Sequence, residues 1–376
     1  MTPAQRADQL ETYLRQDPAN LPLLADAVQA AMEAGLVDRA RRLIDNADPA
    51  IAGAPELRHM SASLYLAEHR FHEAADLLEA LVAEGITATA VLFNLGYARF
   101  RIGAYESAID LLQPLLQQED APAETLTYLM RSHHHAGRPA EAMATWDAAP
   151  DRFKSPQAHA VASLACLDTD RVDDARRLAD ASLSMGGAVP IEALVSRATL
   201  AVGEDNPALA HRLLDQAQKA LPNDGRVLSA IAIAKLGDGD LPAAEQAFVR
   251  ATTFMPQHIG SWHGLAWCQL MRGDVEAARA SFEAALVLDR NFGETHGGLA
   301  VIAALQGRKQ EASEAIERAQ RLDRSGLSAR YAQALLDGNA QDAQALKALA
   351  TRMLKGRPGV DAMRLLERIT GGVQRH

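Results

Sequence analysis

Three consecutive histidines, His133, His134 and His135, are the residues whose type is best suited to chemistry, because imidazole nitrogens bind metal ions such as Zn²⁺. Neighbouring residues on a helix point about 100° apart, so three in a row cannot ligate one ion together. A metal site would need further ligands from an adjacent element. The sequence favours a structural role, with His133 facing the core and the other two at the surface, and we predict no metal site.

The sequence has none of the short motifs that carry catalysis. It has no phosphate-binding Gly-rich loop, no Gly-x-Ser-x-Gly elbow, no His-Glu-x-x-His and no Cys-x-x-Cys. The paired carboxylates Asp173 and Asp174 fall at a predicted helix start, where solvation and the helix dipole explain them. We therefore predict no catalytic residue, no cofactor and no enzymatic activity.

Composition narrows the class of partner. The 376 residues are 48% hydrophobic, which suffices for a large core, and only 5% aromatic. The net charge is −10 and no block of basic residues stands out, so we predict no nucleic-acid partner. A protein or peptide partner remains, and the sequence leaves the oligomeric state open.

The N-terminal residues and the apolar stretches of the chain do not have the pattern of a signal peptide or of a membrane segment. Residues Met1 to Gln16 are charged throughout, and no stretch of eighteen apolar residues exists, so we predict no direct membrane insertion. Cys166 and Cys268 both fall inside predicted helices, and we expect reduced core thiols in a cytoplasmic protein. The alternatives are a disulfide between these two and a signal peptide that has been removed.

A residue pattern recurs every 34 positions, most clearly between Trp262 and Gln320. Its first copy there has Trp262, Leu265, Ala266, Gly273, Ala278, Phe282 and Ala285, and the second has His296, Leu299, Ala300, Gly307, Ala312, Ile316 and Ala319. The same spacing extends back to Leu21. Self-similarity at a fixed period is the signature of stacked repeats.

Each copy has two apolar blocks at helical spacing, separated by a glycine and a polar residue. Such a glycine ends a first helix in the left-handed conformation, and it occurs at Gly35, Gly103, Gly137, Gly239, Gly273 and Gly307. Pro222 and Pro256 stop the second helix before the next copy begins. Each copy is therefore predicted to be a helical hairpin, which buries its apolar face only in a stack.

The pattern resembles the tetratricopeptide repeat from Leu21 to about Gly326. The resemblance implies an all-α, right-handed α-solenoid of about nine hairpins with helical caps, of the bacterial cytoplasmic type. We expect an N-terminal capping helix at 1–20, repeats 1–4 at 21–154, repeats 5–9 at 155–326 and C-terminal capping helices at 327–376. The fifth copy is irregular, because Ala175 arrives one residue early, and we expect a hinge there.

In this family the first helices line a concave groove, and ligands usually lie there. The third and fourth copies place aromatic, cationic and amide side chains at the groove positions. The predicted partner-binding residues are Phe93, Asn94, Tyr97, Arg101, Tyr128, Arg131, His134 and His135. Phe93 and Phe100 could instead belong to the hairpin core. The carboxylate clamp of co-chaperones is incomplete, because His59 and Ser63 stand where its Lys and Asn are needed.

Later copies place apolar residues at the same groove positions. This apolar lane consists of Ile233, Leu236, Trp267, Leu270, Met271, Val301 and Leu305. If exposed, the lane is a large hydrophobic patch of the kind that marks a partner site. Alternatively, the C-terminal helices or a second chain cover it.

The leading functional hypothesis is a non-enzymatic scaffold that binds a peptide segment or protein partner in its groove. The alternative is an accessory or docking subunit of an enzyme or secretion assembly, acting through its convex face or caps. A peptide-sensing regulator is a weaker hypothesis, since the sequence has no basic DNA-binding module.

Overall fold

The computed structural model describes residues 1–169, 171–324 and 326–338, and every regular element within these ranges is helical. The prediction of an all-α fold is therefore confirmed. The chain begins with α1 (Pro3–Leu14), which Thr2 and Gln5 start with a reciprocal capping box. It packs against the first hairpin through Ala7, which is fully buried.

Nine helical hairpins follow in the described residues, one for each copy of the repeat. They are α2 (Leu21–Glu33) with α3 (Val37–Asp45), α4 (Pro55–Ala67) with α5 (Phe71–Ala83), α6 (Thr89–Arg101) with α7 (Tyr105–Leu112), α8 (Thr125–His135) with α9 (Pro139–Ala148), α10 (Pro156–Asp168) with α11 (Val172–Ser184), α12 (Ile191–Gly203) with α13 (Pro207–Ala220), α14 (Gly225–Gly237) with α15 (Leu241–Phe254), α16 (Ile259–Met271) with α17 (Val275–Leu288), and α18 (Gly293–Leu305) with α19 (Lys309–Leu322). Short 3₁₀ helices lie at Gln113–Gln117 and Asp151–Phe153.

A last helix, α20 (Leu327–Leu336), packs against α18 and α19 in the position of a further first helix. It begins where the C-terminal cap is predicted to begin. The rest of that predicted cap, residues 339–376, lies outside the described residues.

The turn between the two helices of a hairpin requires a left-handed residue. The six predicted turn glycines all have positive φ, between 71° and 82°. Two hairpins reach the same conformation without glycine, because His69 and Asp205 have φ of 61° and 53°. A side chain in this region is strained, since its Cβ lies too close to the backbone.

Exchanging residues at this turn position tests the strain directly. A Cβ added at Gly103 would meet no atom within 4 Å, so Gly103→Ala introduces backbone strain without a clash. We expect Gly103→Ala to lower the free energy of unfolding by about 1 kcal/mol, and His69→Gly to raise it by up to about 1 kcal/mol. The midpoints of urea unfolding measure both changes. If both variants shifted the midpoint in the same direction, the two residues would not share a strained left-handed turn position.

Close helix contacts set the packing within and between hairpins. In the second helices, Ala108 and Ala278 occupy the same repeat position, and both are fully buried. Phenylalanines of two second helices, Phe248 and Phe282, pack against glycines in the first helix of the next hairpin, Gly264 and Gly298. A Cβ on Gly264 would lie 2.3 Å from Phe248 Cζ, which native packing excludes.

The chain divides into two compact units, Met1–Ala165 and Cys166 onward. The division falls inside α10, within the segment where the irregular copy predicts a hinge. Cys166 and Cys268 are both buried, and no disulfide joins them. Burial raises the pKa of the Cys268 thiol to about 12, so this side chain behaves as a small apolar group.

The hinge remains a prediction that hydrogen exchange can test. We expect backbone amides between Pro150 and Ser184 to exchange faster than those of the hairpins around Ala108 and Ala278. The reason is that the fifth copy departs from the repeat pattern, so we expect this segment to open locally more easily. Exchange followed by mass spectrometry resolves these segments. Equal protection in the three segments would argue against a hinge.

Candidate functional site

Four rings on α6 and α8 contact one another in the first unit, and we call them the aromatic cluster: Phe93, Tyr97, Phe100 and Tyr128. The Tyr128 ring centroid lies 4.7 Å from that of Tyr97, 5.5 Å from Phe100 and 6.2 Å from Phe93. All four side chains are partly buried, so the two phenylalanines keep surface outside the hairpin core. Burial, and then the neighbouring Tyr97, raise the pKa of Tyr128, which stays a neutral hydroxyl.

Two arginines flank the aromatic cluster. Arg101 is exposed, donates from Nη1 to Tyr97 Oη at 2.6 Å, and has its guanidinium 4.0 Å from the Phe71 ring centroid. Within the described part of the chain, Arg101 forms no ion pair with a carboxylate. The guanidinium of Arg131 lies 5.7 Å from the Tyr128 ring centroid. The structure therefore brings the two predicted tyrosines and the two predicted arginines into one surface.

The three histidines take different positions. His133 is buried, and burial lowers its pKa, whereas His134 is partly buried and His135 is exposed. The His135 ring stacks on Tyr105 at 5.1 Å and also contacts Phe100 at 5.8 Å. Among the described residues, no group of three or more His, Cys, Asp or Glu side chains is placed to hold a metal ion. His134 and His135 thus border the aromatic cluster.

Asn94 is held by the preceding hairpin, a contact that the sequence did not indicate. Its Nδ2 lies 3.0 Å from His59 Nε2 and 3.3 Å from Ser63 Oγ. Burial lowers the pKa of His59, although its hydrogen bond to the backbone of Ala90 opposes the shift. A neutral His59 can accept from the Asn94 amide. The residues that break the clamp pattern therefore fix the orientation of Asn94.

Two residues of the second helices also join this surface and were missed. Phe71 stacks under Arg101, and Tyr105 stacks on His135. Both are the first residue of a second helix, and they lie 34 positions apart. Their shared repeat position is the sequence signal that could identify them. The predicted groove included only residues of the first helices.

The apolar lane is partly covered in the second unit. Leu236, Trp267 and Val301 are buried, Leu305 is 49% exposed, and Ile233, Leu270 and Met271 lie between these extremes. Helix α20 packs against the same core as Trp267 and Val301 through the side chains of Leu327, Tyr331, Leu335 and Leu336. Of the two alternatives for the lane, the described residues thus show a C-terminal helix contacting its later part.

Among the described residues, a cleft of about 360 Å³ lies beside the earlier part of the lane, which α20 does not fill. Its apolar wall includes Ile233, Leu236, Trp267, Phe292 and Leu327. A polar side includes His263 of α16, with Glu294 and Ser328 from the starts of α18 and α20. The cleft combines apolar walls with a few polar groups, as small recognition pockets do.

The carboxylate of Glu294 is occupied by the start of α20. It accepts hydrogen bonds from the backbone N–H of Leu327 at 2.8 Å and of Ser328 at 3.2 Å, and from the Ser328 hydroxyl. A carboxylate at a helix N-terminus is stabilised by the free amides and the helix dipole. Glu294 therefore fixes α20 at one edge of the cleft.

Comparison with known proteins supports the repeat assignment. The tetratricopeptide repeat family matches residues 59–124 and 264–326. No curated protein matches the sequence of the chain. None of the helices in the described part of the chain combines the length and the hydrophobicity that a membrane-spanning segment needs.

Solved structures share the fold at low identity. The APC/C hetero-tetramer Cut9–Hcn1 aligns with a TM-score of 0.58 and 12% identity, over 90% of this chain and 67% of that chain. A monomeric IFIT1 mutant with Gppp-AAAA aligns with a TM-score of 0.57 and 13% identity, over 98% and 95% of the chains. A human IFIT1 dimer with m7Gppp-AAAA gives 0.56 and 14%, over 98% and 94%. At these identities the likeness concerns the fold alone.

The 34-residue period, the stacked hairpins with left-handed turn residues, and the two family matches agree with one another. Together they show that the chain contains tetratricopeptide repeats, with the family model matching these two stretches.

Proposed function

We propose that the chain is a non-enzymatic scaffold that binds an extended peptide segment of a protein partner across α6 and α8. The observation that carries this proposal is the aromatic cluster with Arg101 beside it. Arg101 is exposed, is held by Tyr97 and Phe71, and has no carboxylate partner in the described chain. A positioned cation next to partly exposed rings is the composition of a binding hot spot.

The chemistry of these side chains suits a peptide. Tyr97 and Tyr128 offer apolar area with polar tips, and their contact limits the side-chain entropy lost on binding. Arg101 spends one N–H on Tyr97 and keeps others for carbonyl or carboxylate oxygens of a ligand. We expect the bound segment to place an apolar side chain on the aromatic cluster and an oxygen acceptor at Arg101.

RNA is the alternative class of ligand, because the similar IFIT1 structures contain m7Gppp-AAAA or PPP-AAAA. Binding to nucleic acid depends mainly on neutralising phosphates with clustered cations. This chain has a net charge of −10, and its candidate surface holds two arginines, Arg101 and Arg131. The charge balance therefore favours a peptide, and an RNA oligonucleotide serves as the comparison ligand.

Replacing single side chains of the surface tests the proposal. A random-peptide display library selected against the full chain supplies the probe, and its tightest peptide is titrated by calorimetry. We expect Tyr128→Ala or Arg131→Ala to weaken binding by about 1–3 kcal/mol, which is about 5- to 150-fold. Arg101→Gln should weaken binding by a similar amount, because it removes the positive charge and shortens the side chain while keeping a polar amide.

Matched controls separate binding from folding. Tyr13→Ala removes an exposed tyrosine of α1, and Arg138→Ala removes an arginine that pairs with Glu106, so neither should change affinity. Circular dichroism should give the same helicity for all variants. Wild-type affinity in Tyr128→Ala, Arg131→Ala and Arg101→Gln would overturn the proposal, as would tighter binding of an RNA oligonucleotide than of any selected peptide.

A further inference from the structure

The cleft of the second unit contains a histidine, His263, of which one ring nitrogen has a hydrogen-bond partner among the described residues. Nε2 of His263 lies 2.8 Å from the hydroxyl Oγ1 of Thr295, which is fully buried. Burial lowers the pKa of His263 to about 4, so the ring is neutral near pH 7. One ring nitrogen then carries a proton and the other is an acceptor.

The hydroxyl of Thr295 decides which nitrogen carries the proton. His263 Nε2 is its hydrogen-bond partner among the described residues. If Nε2 carried the proton, the Thr295 O–H would be buried without an acceptor, which is unfavourable. The favoured arrangement has Thr295 donating to Nε2, which leaves the proton on Nδ1.

The Nδ1–H group has no acceptor within the described part of the chain. The His263 ring is held by edge contacts with Phe282 and Phe292, each with a centroid separation of 5.3 Å. His263 also lines the cleft, so we infer that its Nδ1–H group can donate a hydrogen bond to a ligand bound in the cleft. A rigid donor at the side of an apolar cleft selects a ligand that carries an oxygen acceptor next to an apolar group.

We propose that this cleft is a second recognition site, which takes one large apolar side chain of a partner peptide and binds the adjacent peptide carbonyl through His263 Nδ1–H. Ile233, Leu236, Trp267 and Phe292 supply the apolar wall. The carboxylate of Glu294 lies on the same cleft and disfavours a negatively charged acceptor. A neutral amide carbonyl satisfies both conditions. The site is separate from the one on α6 and α8.

Three small probes that differ at one group test this chemistry on the full chain: N-acetyl-phenylalaninamide, N-acetyl-phenylalanine and toluene. The amide carries ring and carbonyl, the acid adds a charge, and toluene has no acceptor. Ligand-detected NMR titration gives each dissociation constant. We expect the amide to bind at least tenfold more tightly than the acid or toluene, and to shift the His263 imidazole ¹⁵N resonances.

The double variant His263→Phe with Thr295→Val removes the donor and its buried partner together, which preserves shape and leaves no unpaired group. It should weaken amide binding at least tenfold and leave toluene binding unchanged. Ile233→Asp should abolish binding of both, whereas Val287→Asp, at a residue 78% exposed on α17, should not. Tyr128→Ala should bind the amide like wild type, which separates this site from the proposed peptide surface.

Several outcomes would overturn the inference. Equal binding of amide and toluene, or an unchanged amide affinity in the double variant, would show that His263 recognises no carbonyl. Tighter binding of the acid than of the amide would point to an apolar acid rather than a peptide. No binding of any probe would remove the cleft as a recognition site.

Discussion

Helices in this fold approach one another closely at positions with no side chain beyond Cβ, and the stacking of the hairpins requires this approach. Alanines such as Ala108 and Ala278 are fully buried where second helices meet their partners. Phe248 reaches the next hairpin only because residue 264 is glycine. Interiors are close-packed, so a larger residue at these positions forces the helices apart at a cost of about 1–3 kcal/mol.

This packing places equivalent residues of successive first helices side by side. Tyr97 and Arg131 occupy one repeat position, and Arg101 and His135 another. Residues at such positions that the core does not use then lie beside their equivalents in the neighbouring hairpin. The aromatic cluster on α6 and α8 arises in this way, because the alanine contacts leave the groove positions of these helices out of the core.

The sequence predicted what depends on the repeat period and missed what depends on contacts between copies. The hairpins and the glycine turns follow from local periodicity, and the structure agrees. His69 and Asp205 were not recognised as left-handed turn residues, because neither type marks that conformation as glycine does. The contact of Asn94 with His59 and Ser63 joins residues of different copies, so no local pattern reports it.

The exposure of the apolar lane also depends on contacts that the sequence pattern does not report. Its residues were identified by position alone, whereas their exposure depends on the packing of α20. Gly297 allows this packing, since a Cβ there would lie 2.7 Å from the backbone nitrogen of Ala329. What remains open among the described residues is the cleft beside His263, whose polar side includes His263, Glu294 and Ser328 rather than any lane residue.

Under the proposed function, a partner binds the face formed by α6 and α8 and not the face formed by the second helices. Photo-crosslinking distinguishes these two faces, with a benzophenone amino acid placed at Tyr97 on the proposed surface or at Asp110, an exposed residue of α7. In the native lysate, we predict a partner adduct from position 97 and none from position 110. An adduct from position 110 alone would overturn the proposed peptide surface and would support a docking subunit that acts through its second helices.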